Sequence, residues 1–189
     1  MRFDEVVQSR RSVRSFASDP VPRDVLERVV GAALVAPSAR GEQPWRFHVT
    51  TGDTRRELGK IIAQTTGFLS EYVDVLGPEG IEKAIHWYSS LGDAPAVIAV
   101  SVLQSESEFE ATNRLLSVGA SIENLLLAAV DAGLGACPVT FSHWVRDEMA
   151  ELLGIGPDRE VVAIVALGRP SGTLAEPRNT RDDVVEWYD

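Results

Sequence analysis

Residues 10–49 read RRSVRSFASDPVPRDVLERVVGAALVAPSARGEQPWRFHV. Cations and hydroxyls alternate at the start, an amphipathic stretch follows, then a polar loop between prolines, then an alternating run. Pro22 suits the first position of a helix, where its missing N–H costs nothing. Val25, Leu26, Val29, Val30, Ala33 and Leu34 recur at helical spacing, and Pro37 is expected to end the helix by barring its predecessor from helical geometry. Arg46–Thr51 alternates like a strand. A short helix over Asp4–Arg10 is expected ahead of the arginine cluster.

Working outward, "TRRELGKIIAQTT" returns to helical spacing, with Arg55 at its solvated start. Residues 65–93 carry aromatics, glycines and acids without one sustained period, and read as one or two short helices with loops covering a site. "PAVIAVSV" and "EVVAIVALG" are strand-length apolar runs, and "VRDEMAELLG" is helical. Residues 108–135 carry the longest helical signal. Ala111, Leu115, Val118, Ile122, Leu125 and Ala129 make one stripe, and Gly133 supplies the stop. A helix of about 23 residues spans roughly 35 Å, which places it at the centre of a core or of a subunit interface. Helices outnumber strands without regular alternation, which predicts an α+β fold rather than a doubly wound sheet. The 189 residues are expected to form a single domain, with residues 169–189 as a C-terminal arm.

Composition excludes several classes. The formal net charge is −10, which argues against a nucleic-acid partner. The distribution is uneven: residues 1–60 balance at +3 and residues 61–189 at −13. Cations gather towards the two ends, which suits one small anion site better than a polymer. No apolar run approaches the roughly twenty residues of a membrane span. The single cysteine, Cys137, excludes an internal disulfide and reads as a buried structural thiol between small neighbours. A cytoplasmic location is expected.

The familiar catalytic signatures are missing: there is no GxGxxG after a strand, no GxxxxGK[ST], no HExxH and no GxSxG. His48, His86 and His143 lie far apart without carboxylate or cysteine at ligand spacing, so no metal is expected. Trp87 and Trp144 read as core or rim aromatics. What remains is the cluster Arg10, Ser12 and Arg14, able to offer two guanidinium forks and a hydroxyl to phosphate or polyol oxygens. Beside it stand the loop with Ser38, Arg40 and Gln43, stiffened by Pro37 and Pro44 and pinned by Trp45, and a tail with Arg178 and Arg181.

Taken in order, RRSVRSF, the VPRDVL helix start, APSARGEQPWRF, GASIENLLLAAVDAGLGACPV, ALGRP and the closing VVEW resemble the nitroreductase-like FMN-dependent oxidoreductases over nearly the whole chain. The resemblance implies a three-layer α+β sandwich with a mixed, mainly antiparallel central sheet. It also implies an obligate homodimer joined through the long helix around Ser121, with FMN at the subunit interface. Arg10, Ser12 and Arg14, with Arg11 adjacent, would hold the FMN phosphate and ribityl chain. Pro37, Ser38 and Ala39 would come from the partner subunit and lie along the flavin, with Gly41 and Gln43 in the same loop. Pro138, Val139 and Thr140 would pass beside the ring, and Arg178 or Arg181 would close on the phosphate. Gly41 stands where members often carry Asn, and "PVTFSH" where many carry a glutamate and glycine.

The chemistry so implied is hydride transfer from transiently bound NAD(P)H, through FMN, to an oxidised small molecule such as a nitroaromatic, quinone or flavin, by a ping-pong mechanism. No protein side chain need act as an acid. Two alternatives stay open: a flavin store or sensor with little turnover, and dehydrogenation of a specific biosynthetic intermediate.

Overall fold

A computed structural model describes residues 1–172 and 184–188. Its centre is strand β2 (Ala96–Leu103), buried along almost its whole length as a continuous apolar run requires. β1 (Trp45–Thr51) pairs with one edge of β2 and β4 (Arg159–Gly168) with the other, both antiparallel. β3 (Gly135–Val139) completes the order β1-β2-β4-β3 by pairing antiparallel with β4. Between the pairs Val100–Ala163 and Ser101–Val161 the register shifts. Val162 is the extra residue of this bulge, so Val161 and Ile164 face the same side of the sheet.

Helices cover both faces. On one side α2 (Arg23–Leu34) and α5 (Glu108–Asp131) bury Leu26, Val29, Leu125 and Ala129 against Ile98, Val100 and Val165. On the other lie α3 (Gly52–Ala63), α4 (Val73–Ser90) and α6 (Arg146–Leu153), whose Leu58, Ile62, Tyr88 and Met149 pack on Val97, Ala99 and Ile164. The result is the expected three-layer α+β sandwich. Its named strands are all antiparallel, and among the described residues the one parallel pairing is an isolated bridge between Ser12 and Ala136. No helix among the described residues is long and apolar enough to cross a membrane.

Four readings of the sequence need correction. α2 stops at Leu34 rather than at Pro37: Val35 and Ala36 already leave the helix, and the Ala36 N–H reaches back to Ala33 at 3.2 Å. Residues 64–93 hold more helix than expected, a 3₁₀ stretch at Gln64–Tyr72 followed by α4, which kinks at Gly77 beside Pro78. β3 was legible only as a loop, because Pro138 interrupts it. An edge strand tolerates a proline that a central strand does not. The α5 stripe is also narrower than drawn: Val118, Leu125, Leu126 and Ala129 are buried, whereas Leu115 is half exposed.

Candidate functional site

The segment after α1 (Phe3–Ser9) is stitched into the sheet by its backbone. Val13 N–H donates to Ala136 at 3.0 Å and Phe16 N–H to Gly92 at 2.9 Å. Ala17 donates to Arg169, and Ser171 donates back to Ser15. The side chains of Val13 and Phe16 are thereby buried, and that of Arg14 is left facing a cavity. The carbonyl oxygen of Arg14 accepts the indole N–H of Trp87 at 3.0 Å. Gly92 presses on the same carbonyl: at its φ of +63°, an added Cβ would lie 2.1 Å from the Arg14 oxygen.

The cavity is about 610 Å³, within the range of small-molecule sites. One wall is Pro138, Val139, Thr140 and Phe141, which leave the sheet at the end of β3. The other comes from the 3₁₀ stretch and α4: Leu69, Leu76, Lys83, Ala84, Trp87 and Tyr88. Behind Phe141 an aromatic cluster stiffens the wall, with Phe141 and Trp144 edge to face at 4.8 Å and Phe68 stacked on Trp144 at 5.3 Å. Cys137 reaches the cavity but is almost fully buried, and burial pushes its thiol up, so it is no activated nucleophile. Tyr88 is also pushed up, first by burial.

The remaining arginines of the cluster do not line this cavity. Arg10 rests on Glu123 of α5 at 3.2 Å, and Arg11 turns back onto the carbonyls of Gln8 and Arg10 at 2.6 and 2.7 Å. Ser12 lies in the bridge to Ala136. Arg178 and Arg181 lie outside the described residues.

The proline-flanked loop forms a second group, away from the cavity. Arg40, Gly41 and Gln43 have φ of 55°, 68° and 47°, three left-handed residues within four positions. Two of them are not glycine, at a cost on the order of 1 kcal/mol each. The loop is held by its surroundings: Ala39 N–H donates to Ser117 Oγ at 3.1 Å and Gln43 N–H to Ser38 Oγ at 3.0 Å. Arg40 pairs with Glu110, and Glu42 with Arg114 at 2.6 Å. The Arg114 guanidinium holds the Glu42 carboxyl below its ordinary pKa. Gly41 enters the left-handed region without the cost that a side chain brings. Pro37, Gly41 and Gln43 are exposed.

The residues missed in the sequence are Leu69, Lys83, Trp87, Tyr88 and Phe141. Gly80, Lys83, Ala84 and Trp87 do recur at helical spacing once Pro78 is read as a helix start.

The nitroreductase family profile matches residues 7–169, and the chain belongs to that family. It is 24% identical to a nitrobenzene nitroreductase of Ectopseudomonas oleovorans, across 92% of this chain and 89% of that one. The fold is similar to a BluB-like flavoprotein from Clostridium difficile 630, with a TM-score of 0.82 at 22% identity, covering all of both chains. It is also similar to a nitroreductase with bound FMN from Bacteroides fragilis, with a TM-score of 0.79 at 21% identity, again covering all of both.

Proposed function

We propose that this chain is an FMN-dependent oxidoreductase that takes hydride from NAD(P)H and passes it to a nitroaromatic, quinone or flavin. The observation that carries the reading is the cavity between Arg14 and the Pro138–Thr140 wall, in a chain of the nitroreductase family. Its volume and aromatic walls suit a planar ring, and Arg14 supplies a fixed cation for an anionic or electron-rich edge. Bound FMN supplies the hydride chemistry, and the protein orients it and excludes water. With no dinucleotide-binding motif to hold the donor elsewhere, donor and acceptor use the same face of the flavin in turn, which is a ping-pong scheme.

The site is completed by a second copy of the chain. In one subunit the loop Pro37–Gln43 lies apart from the Arg14 cavity, with its polar backbone exposed and its geometry already fixed. α5 carries both groups, Ser117 under the loop and Glu123 under Arg10. Along the same helix its outer face presents Leu115, Leu116 and Gly119, the last with open space where a side chain would be. A copy packed on that face would bring its Pro37, Ser38 and Ala39 to the cavity, together with Gly41 and Gln43. Arg10, Arg11 and Ser12, and Arg178 or Arg181, would then serve the phosphate end.

The test is direct. The purified protein should carry FMN, identified by mass after release. NADPH or NADH should bleach it without oxygen, and a nitroaromatic should restore the colour. Flavin that is bound but never bleached would favour the store or sensor, a reading supported by Phe141 standing in the cavity wall.

A further inference from the structure

Tyr88 is only 7% exposed, yet it lines the cavity. Its ring is fixed edge to face on Trp87 at 5.1 Å and tilted against Phe141 at 6.1 Å. Its hydroxyl makes no hydrogen bond to any described residue. Thr65 and Ser121 hold the described hydroxyls that are both sealed and unpartnered, so the Tyr88 oxygen, on a residue that lines the cavity, is not sealed in the core. A hydroxyl that is not sealed and has no protein acceptor is free to donate to a ligand. The packed ring keeps this one aimed where a ligand can supply the missing acceptor.

The neighbours say which end of a ligand that is. The Arg14 charge lies within electrostatic reach and pulls the phenol down, against burial and Cys137, which push it up. The balance is well above the ordinary tyrosine value, so the hydroxyl stays protonated and acts as a permanent donor. Arg14 and Tyr88 line the same cavity from two different elements and offer it a cation and a neutral O–H, with Pro138–Thr140 in the same lining.

We propose that Tyr88 and Arg14 form a donor pair for the pyrimidine edge of the bound flavin, and that Tyr88 raises its reduction potential. The proposal rests on the FMN reading above. Uptake of two electrons and one proton leaves one negative charge, shared along the N1–C2=O edge of the ring. A donor fixed there before reduction binds the reduced form more tightly than the oxidised form, because it meets charge that only reduction creates. Tyr88 transfers no proton in this role. It is a standing dipole.

The test is Tyr88→Phe in the full chain. The exchange deletes only a hydroxyl that no described residue uses, so the ring packing and the fold should remain. Oxidised FMN should bind with little change. Reduced FMN should bind about tenfold more weakly, read as a midpoint potential lowered by roughly 30 mV for a two-electron couple. A potential equal to the parent's, or equal weakening of both forms, would overturn the proposal. An unchanged potential with slowed reoxidation by a quinone would also overturn it, and would assign Tyr88 to the acceptor instead. A parent protein that binds no FMN at all would sink the functional reading and this inference together, which separates the two failures.

Discussion

The indole N–H of Trp87 donates to the carbonyl oxygen of Arg14 at 3.0 Å. It joins the stretch whose sequence is least legible to the residue whose sequence is most suggestive. Gly92 seals the same junction, since its N–Cα–C turn leaves no room for a Cβ beside Arg14. Gly92→Ala should therefore destabilise the fold by about 3 kcal/mol, from a left-handed φ and a backbone clash together. Denaturant unfolding of the variant measures it. A midpoint equal to the parent's would show that the junction yields without cost.

Arg14 should matter for FMN in a way that exposed cations do not. Removing one charge-assisted contact costs on the order of 1.5–3 kcal/mol, so Arg14→Ala should weaken FMN binding by roughly ten- to a hundredfold. The control is Arg56→Ala, an exposed residue paired with Asp53 on α3. Fluorescence titration of the two apoproteins decides, and equal affinities would reduce Arg14 to surface charge.

Arg55 looks like a neighbour of Arg56 in the sequence but behaves otherwise. It donates to the carbonyls of Ala94 at 2.7 Å and Ser90 at 2.8 Å, and burial lowers its pKa. The expectation of a solvated helix start is thus wrong. Arg55→Ala should leave the carbonyls of Ser90, at the end of α4, and Ala94, ahead of β2, without this donor and lower the unfolding midpoint, while Arg56→Ala leaves it unchanged. Identical midpoints would mean that water replaces the guanidinium freely.

That pair shows where the sequence stops being informative. Periodicity places α2, α5, β1, β2 and β4, because each buries a face whose repeat is written in apolar residues. It does not tell Arg55 from Arg56, since a clamp on carbonyls 35 and 39 residues away depends on tertiary approach and leaves no local pattern. The same holds for the site. Arg14 and Pro138–Thr140 stand in motifs, whereas Tyr88 and Trp87 reach the cavity through a helix whose period is broken by Gly77 and Pro78. β3 is short, and Pro138 masks its strand character.

His48 should give the fold a pH dependence of its own. Ser101 Oγ accepts from Arg159 Nε at 3.2 Å and also bonds His48 Nε2 at 2.9 Å, which sets the imidazole beside a guanidinium in a half-buried position. Burial, then the charges of Arg159 and Arg46, lower the His48 pKa below its ordinary 6.5. The unfolded chain therefore binds more protons between the two values, and stability rises with pH there. The contribution is complete above about 6.5 and is lost as pH falls from there through the folded value. Urea unfolding between pH 5 and 8 should show this slope in the parent and a shallower one in His48→Gln. Parallel curves would remove His48 from the account.

The proposed dimer is best tested on the outer face of α5, and the structure decides which residue to use. Ile122 lies in the apolar stripe, but it is half-buried against the subunit's own core. A glutamate there would damage the monomer and prove nothing about assembly. Leu116 is 69% exposed, one turn from Gly119 and with Leu115 beside it. A charge at Leu116 costs a lone subunit little, because it stays in water. Between two subunits it would be buried unpaired, at a cost of several kcal/mol. If the loop Pro37–Gln43 completes the cavity of the partner, FMN stabilises the dimer and the dimer holds FMN. Leu116→Glu should then sediment as a monomer, keep the parent's circular dichroism and lose most of its flavin, although Leu116 does not line the cavity. A folded monomer that holds FMN with the parent's affinity would refute the shared site.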